Sequence, residues 1–330
     1  MQRVDLSHRL RRQPWQLLIS ALVGVFLLSA YAAASPKEML DAGRVDDAIQ
    51  TLQHQIELSS TDADAYNLLC RAYFMLEEWD RGIAACEHAR NLDPQKSLYH
   101  LWLGRIYGEK ADRAGFLSAA GLAKKVRTSF ERAVELDPRN WEPRADLAEF
   151  YLEAPGIVGG GRDKAQAQAD AVAPLNPAVA HWIAARIAAK NREIASAERE
   201  YRAAIAANRS LGRAWVDLAG LLFHNNRLDD MERVLRHLES APVEQREALR
   251  DGASILLRAG RDYPLGVRLL RRYLSAPVEE APAFKAHDML GELLEKQGDR
   301  QAAADEYRAA IALAHSYARA EADLKRIQPR

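Results

Sequence analysis

The chain has 330 residues, of which 46 are lysine or arginine and 46 are aspartate or glutamate, so its formal net charge is zero. Basic and acidic residues are interspersed, and no lysine- or arginine-rich block with interleaved aromatic residues occurs. The charge pattern therefore excludes a nucleic-acid-binding surface based on charge. Alanine, leucine, arginine and glutamate dominate and no alternating strand pattern occurs, so the composition predicts an all-α protein without a sheet.

The first 34 residues have a different composition from the rest. Four arginines within residues 3–12 precede an apolar run over residues 17–28, and small residues follow at Ala30, Ala32 and Ala34. This order is typical of a secretory signal peptide and predicts a periplasmic protein. Residues 15–34 are also just long enough for an uncleaved inner-membrane anchor. Both interpretations send the rest of the chain across the membrane, because the arginines keep the amino end cytoplasmic.

Helical-hairpin repeats are predicted after this segment, with a partial first unit over residues 35–61. The clearest unit spans residues 63–94. In its first helix the large, large, small and large positions hold Tyr66, Leu69, Cys70 and Tyr73. In its second helix the matching positions hold Gly82, Cys86, Ala89 and Pro94. Small residues let two antiparallel helices approach closely, large residues fill the gaps, and proline ends the second helix.

The same positions recur to the end of the chain, with a degenerate copy over residues 244–275. They predict one partial and seven complete units, which form a solenoid over residues 62–314. Residues 315–330 are predicted to form a capping helix and tail over the last apolar face. About ten extra residues between Tyr107 and Val126 predict one hairpin with lengthened helices.

These shared positions resemble the tetratricopeptide-repeat superfamily over about residues 36–314. The strings GLAKKVRTSFERAVELDPRN and DLAEFYLEAPGIVGGGRDKA are also similar to exported bacterial repeat proteins. The resemblance implies a right-handed superhelical solenoid of antiparallel helix hairpins, with the first helices turned inward around a long concave groove. That groove is where a protein or peptide partner is expected.

Cys70 and Cys86 are the only cysteines, and the repeat frame places them level with each other across one hairpin. In an oxidising compartment this predicts a disulfide, whose loop of about 15 residues is worth roughly 3 kcal/mol in the chain-entropy model. The alternative is two reduced cysteines that fill the core as small apolar side chains. No C-x2-C spacing and no histidine pair on a helix face accompanies them, so no metal site is expected.

A glycine-rich turn with basic neighbours departs from the minimal repeat; it comprises Gly159, Gly160, Gly161, Arg162 and Lys164. Exposed N–H groups at a helix start can cradle an anion, so these residues form a candidate anion site. The order of residues is not that of a P-loop, and no strand precedes it. The alternative interpretation is a loop that resets the geometry of the hairpin.

The predicted groove lining mixes aromatic side chains with guanidinium groups. Its candidate partner-binding residues are Asn67, Arg71, Phe74, Trp102, Arg105, Glu149, Trp182 and Arg186. Arginine binds carboxylates bidentately and tryptophan supplies contact area, so the expected occupant is an extended peptide that carries carboxylates. Arg71 and Arg105 lie one repeat apart and are expected to be partly solvated. The alternative is that these side chains only support the solenoid.

No motif for catalysis occurs in the sequence. HExxH, GxSxG and a nucleophile with a matching base are all missing, so no cofactor is expected and an enzyme is the least favoured function. His100, His181 and His287 occupy large positions where packing is the default role. Two binding functions stay open: a non-catalytic scaffold of the bacterial cell envelope, and an assembly or targeting factor that hands clients to an envelope complex.

Overall fold

The computed structural model describes residues 34–244, 246–278 and 282–327, except for the side chains of Phe116 and Leu117. Within these ranges the chain forms 17 α-helices and one short 3₁₀ helix, and no strand. The export segment predicted over residues 1–34 therefore lies outside the described residues, apart from Ala34. In the part of the chain that is described, no helix is both long and apolar enough to cross a bilayer.

Consecutive helices pair as antiparallel hairpins. A short unit of α1 (Pro36–Asp41) and α2 (Val45–Leu58) comes first. Seven complete hairpins follow: α3 (Ala63–Met75) with α4 (Trp79–Leu92), α5 (Ser97–Arg113) with α6 (Phe116–Leu136), α7 (Trp141–Glu153) with α8 (Arg162–Val172), α9 (Pro177–Lys190) with α10 (Ile194–Ala207), α11 (Gly212–His224) with α12 (Leu228–Ser240), α13 (Glu247–Ala259) with α14 (Tyr263–Leu274), and α15 (Ala283–Lys296) with α16 (Arg300–Leu313). The last helix, α17 (Ala318–Ile327), packs on α16. The predicted all-α hairpin solenoid is confirmed.

Glycine at a small position of a first helix permits close approach of a ring from the second helix. A Cβ atom added to Gly104 in α5 would lie 2.4 Å from Cε1 of Phe130 in α6. A Cβ atom on Gly291 in α15 would lie 2.6 Å from Cε1 of Tyr307 in α16. Both rings are buried, so the small and large positions of the sequence pattern are the two sides of one contact.

The insertion between Tyr107 and Val126 lengthens both helices of its hairpin, as predicted. Helix α5 has 17 residues and α6 has 21, whereas the helices of the other complete units have 11 to 14. The first helices of neighbouring units also contact one another. Helix α3 contacts α5, α7 contacts α9, and α11 contacts α13. These first helices lie side by side, and the surface that they form is here called the inner side of the array.

The first two units contact the last units, so the array closes on itself. Lys285 Nζ in α15 donates to Glu77 Oε1 in the α3–α4 turn at 2.6 Å. The backbone N–H of Val278 donates to the carbonyl oxygen of Asp41 at 2.7 Å. The sequence pattern predicts a long groove but does not predict this closure, which joins residues more than 200 positions apart.

Two further contacts complete the closure. The N–H of His315 donates to Asp46 Oδ2 at 2.8 Å, and a ring nitrogen of His315 lies 2.9 Å from the same oxygen. Gly43, in the turn between α1 and α2, lies so close to α15 that a Cβ atom on it would come within 2.4 Å of the Cβ of Ala283. The contact therefore requires glycine at position 43.

Candidate functional site

A cavity of about 660 Å³, here called the central cavity, opens on the inner side of the array. It is lined from first helices α7, α9, α11 and α13 and from the loops before α13 and after α14. Its charged lining residues are Glu142, Glu149, Arg213, Asp217, Glu244, Arg246, Glu247 and Asp251. Trp141, Trp182, Val216, Ala248, Ala276 and Pro277 complete the wall.

Two tryptophans and one arginine form the aromatic wall of the central cavity. Trp182 is 2% exposed, and its indole N–H donates to Asp217 Oδ2 at 2.8 Å. The guanidinium carbon of Arg213 lies 5.0 Å from the ring centroid of Trp182 and 6.0 Å from that of Trp141. Arg213 thus makes cation–π contacts with both rings, and its nearest carboxylate oxygen, on Asp146, is 3.7 Å away.

Arg105 is not the solvated fork that the sequence predicts. Its Nε donates to Asp146 Oδ2 and its Nη2 to Glu142 Oε1, both at 2.7 Å, and its side chain is 13% exposed. The two carboxylates lie one turn apart on α7 and face α5, which is why they chelate the guanidinium. Arg71 lies over the ring of Trp102, with its guanidinium carbon 4.9 Å from the centroid. Arg105 is thus less exposed than predicted and is paired within the array, and its binding of a partner stays a prediction.

Arg186 in α9 is likewise held by carboxylates of this chain. It lies 3.1 Å from Glu149 and 3.4 Å from both Glu153 and Asp217. Burial disfavours the charged guanidinium, yet Asp217 and Glu149 raise the pKa of Arg186 above its ordinary value. Burial also raises the pKa of Glu149, although Arg186 opposes this shift. The inner side is thus crossed by internal ion pairs that link neighbouring first helices.

The remaining predicted groove residues are mostly packed within the array. Asn67 and Trp102 are both 3% exposed. Phe74 meets the rings of Trp79 and Trp102 edge-on, with ring centroids 5.6 Å apart in each pair. Of the predicted set, only Glu149 and Trp182 line the central cavity. Binding of a partner by any of these residues stays a prediction.

The three glycines of the glycine-rich turn donate their N–H groups to carbonyl oxygens of this chain. The N–H groups of Gly159, Gly160 and Gly161 donate to the carbonyl oxygens of Gly156, Pro155 and Tyr151 at 3.0, 3.2 and 2.8 Å. Lys164 Nζ donates to the carbonyl oxygen of Gly159 at 2.8 Å, and Arg162 is the exposed first residue of α8. The three glycine N–H groups of the predicted anion site are therefore already used, and anion binding at this turn stays a prediction.

Cys70 in α3 and Cys86 in α4 are joined by a disulfide, with their Cα atoms 5.2 Å apart and both side chains fully buried. The bond links the two helices of the first complete hairpin. Among the residues described, no group of three or more histidine, cysteine, aspartate or glutamate side chains is arranged to hold a metal ion.

Sequence reasoning missed Arg213 and Asp217, which shape the central cavity. The predicted groove residues include none from α11, where Gly220 lies at the position equivalent to Arg71 and Arg105. Residues three and seven positions earlier lie on the same helix face, and these are Asp217 and Arg213. The helix face of Gly220 is therefore the feature of the sequence that indicates both residues.

Two tetratricopeptide-repeat family models match the chain, over residues 39–106 and 184–234. Among the curated proteins, no sequence matches this chain.

Solved structures of repeat proteins are similar to it. The chain is 15% identical to yeast Tom70, with a TM-score of 0.51 over 86% of this chain and 58% of that one. It is 17% identical to TTC0263, a thermophilic tetratricopeptide-repeat protein of Thermus thermophilus, with a TM-score of 0.46 over 63% of this chain and 98% of that one. Such likenesses concern the fold alone. The family matches show tetratricopeptide repeats at residues 39–106 and 184–234, and the same hairpin geometry runs through the other units of the described chain.

Proposed function

We propose that this protein is a non-catalytic interaction scaffold of the bacterial cell envelope, which holds a segment of a partner protein in the central cavity. Tetratricopeptide repeats generally bind proteins or peptides and are typically non-catalytic. The observation that carries the proposal is the cavity itself. Four first helices supply tryptophan and charged side chains to one concave space, which is the arrangement that a buried anchor of a partner requires.

Two features support a location outside the cytoplasm. Residues 1–34 have the order of arginines, apolar residues and small residues that is typical of an export signal. The pairing of Cys70 with Cys86 suits an oxidising compartment, because disulfides persist there and are rare in the cytosol. Cleavage of the segment and its retention as an anchor both give this location.

The proposal is tested by filling the central cavity. Val216 is half-buried in the wall, so Val216→Trp places an indole ring in the space that a partner would occupy. Leu58→Trp, at a side chain that is 76% exposed on α2, adds the same ring away from the cavity. We expect affinity isolation from envelope extracts, followed by mass spectrometry, to lose specific partners with Val216→Trp and to keep them with Leu58→Trp. Equal recovery with a folded Val216→Trp variant would contradict binding in the cavity.

A further inference from the structure

We infer that the segment held in the central cavity is basic, with a lysine or arginine side chain directed into the cavity. The inference rests on the proposed function and specifies the partner's chemistry. It reverses the expectation of a carboxylate-bearing peptide, because the arginines on which that expectation rested are bound within the array.

The charge of the lining favours a cation. Six carboxylates and two guanidinium groups line the central cavity. Arg105, Arg186, Arg250 and Asp146 lie behind the lining and pair with it. Even when they are included, carboxylates outnumber guanidinium groups by seven to five. Electrostatic complementarity of this kind selects partners by the sign of their charge.

The two lining arginines are directed toward the protein. Arg246 Nη2 donates to the carbonyl oxygen of Tyr273 at 3.0 Å and also to that of Arg272, at the carboxyl end of α14. Arg213 is seated on the rings of Trp182 and Trp141. Arg246 is therefore held by backbone carbonyl oxygens, and Arg213 lies 3.7 Å from Asp146, so both guanidinium groups have acceptors or carboxylates of this chain as neighbours.

Several lining carboxylates retain exposed surface. The side chains of Glu142, Glu149 and Asp251 are 33%, 37% and 41% exposed, and each is paired with one arginine. A carboxylate has about four lone-pair sites, so one guanidinium does not saturate it. The pKa of Glu149 is raised by burial and by its neighbours Asp146 and Asp217, despite Arg186 and Arg213. Burial is the largest cause of this shift, and a bound cation would favour the charged form of the Glu149 carboxylate.

Trp141 offers an apolar surface for the aliphatic part of a lysine or arginine side chain. Its ring is half-buried in the cavity wall beside Glu142. Lysine and arginine lay their aliphatic stems along apolar surface while the charged head reaches polar groups, and a tryptophan face adds a cation–π contact. Arg213 already makes this kind of contact from within the chain, which shows that the wall accepts a cation.

The test measures binding of peptides of opposite charge to the full chain in mild detergent. Three fluorescein-labelled octapeptides alternate serine with lysine, glutamate or glutamine, and fluorescence anisotropy at two salt concentrations gives their dissociation constants. We expect the lysine peptide to bind at least about tenfold more tightly than the glutamate peptide, and to weaken as salt rises.

Isosteric variants locate the binding site. Glu149→Gln and, separately, Glu142→Gln remove one cavity charge each, and we expect either to weaken binding of the lysine peptide by about threefold to tenfold. Glu57→Gln changes a side chain that is 76% exposed on α2 and should have no effect. Circular dichroism melting curves confirm that each variant is folded.

The outcomes separate this inference from the proposed function. Preference for the glutamate peptide would contradict the inference that the bound segment is basic. Unchanged affinity for the lysine peptide in both cavity variants would contradict it as well. If Val216→Trp still abolished partner capture in that case, the proposed function would stand. Competition by free arginine amide as strong as that by the lysine peptide would point to a small cation and would also overturn the inference.

Discussion

In six units the turn between the two helices contains a residue with left-handed backbone. These residues are Gly43, Glu77, Arg192, Asn226, Gly260 and Gly298, with φ of +75°, +60°, +63°, +56°, +65° and +88°. Residues 43 and 77 are 34 positions apart, as are 192, 226 and 260, so the backbone repeats with the period of the sequence. Glycine adopts this conformation without strain, whereas other residues lose roughly 1–2 kcal/mol there.

Arg192→Gly should therefore stabilise the protein. Arg192 is exposed, so its loss removes little packing, and glycine relieves the strain at φ +63°. Glycine also gives the unfolded chain more entropy, which offsets part of this stabilisation. We therefore expect a net increase of about 0.5–1 kcal/mol in the free energy of unfolding. Asn226→Gly is the matched control and should gain less, because asparagine tolerates left-handed backbone better than arginine. Urea titrations would contradict this account if Arg192→Gly gained no more than Asn226→Gly.

At the scale of the helix hairpin, the sequence predicts the structure well because the determining contacts are local. Gly104 and Phe130, for example, belong to one unit and meet wherever two helices pair in that frame. Contacts between units are less predictable. Tyr151 in α7 donates to Glu131 in α6 at 2.9 Å, and Tyr107 donates likewise to Glu87 in α4. The pattern predicts a large residue at both positions but does not indicate the acceptor 20 residues earlier.

The Cys70–Cys86 bond is the covalent contact of a single hairpin, and its removal should act locally. The two cysteines are 16 positions apart, so the double change Cys70→Ala with Cys86→Ala should cost about 3 kcal/mol in the chain-entropy model. The protein should still fold, since the other hairpins keep their interfaces. We expect a reductant to lower the melting temperature of the native protein and not that of the variant. An unchanged melting temperature of the reduced native protein would contradict a stabilising disulfide.

For the whole molecule, closure and the central cavity share one segment of chain. Ala276 and Pro277 line the cavity. The backbone N–H of the next residue, Val278, donates a hydrogen bond to the carbonyl oxygen of Asp41 in the first unit. The sequence could not predict this arrangement, because closure depends on small rotations between units that accumulate along the array. The ion pairs of Arg105 and Arg186 were missed because their partners lie on the neighbouring unit, which the pattern of a single helix does not indicate.

Glycine variants distinguish closure from simple backbone strain. Gly43 and Gly298 both have left-handed backbone, with φ of +75° and +88°. A Cβ atom on Gly43 would clash with Ala283, whereas one on Gly298 would meet no atom within 4 Å. Both alanine variants should therefore lose similar backbone energy, while only Gly43→Ala should separate the first unit from α15.

Zero-length crosslinking of the closure tests this account most directly. A carbodiimide joins an amine to a carboxylate that it already touches, and Lys285 Nζ lies 2.6 Å from Glu77 Oε1. Mass spectrometry of digested protein should identify the peptide pair that contains Glu77 and Lys285. We expect the same pair in Gly298→Ala and a large loss of it in Gly43→Ala. An open array would yield no such pair in the native protein, although crosslinks between adjacent units, such as that of Lys190 with Glu153, still formed.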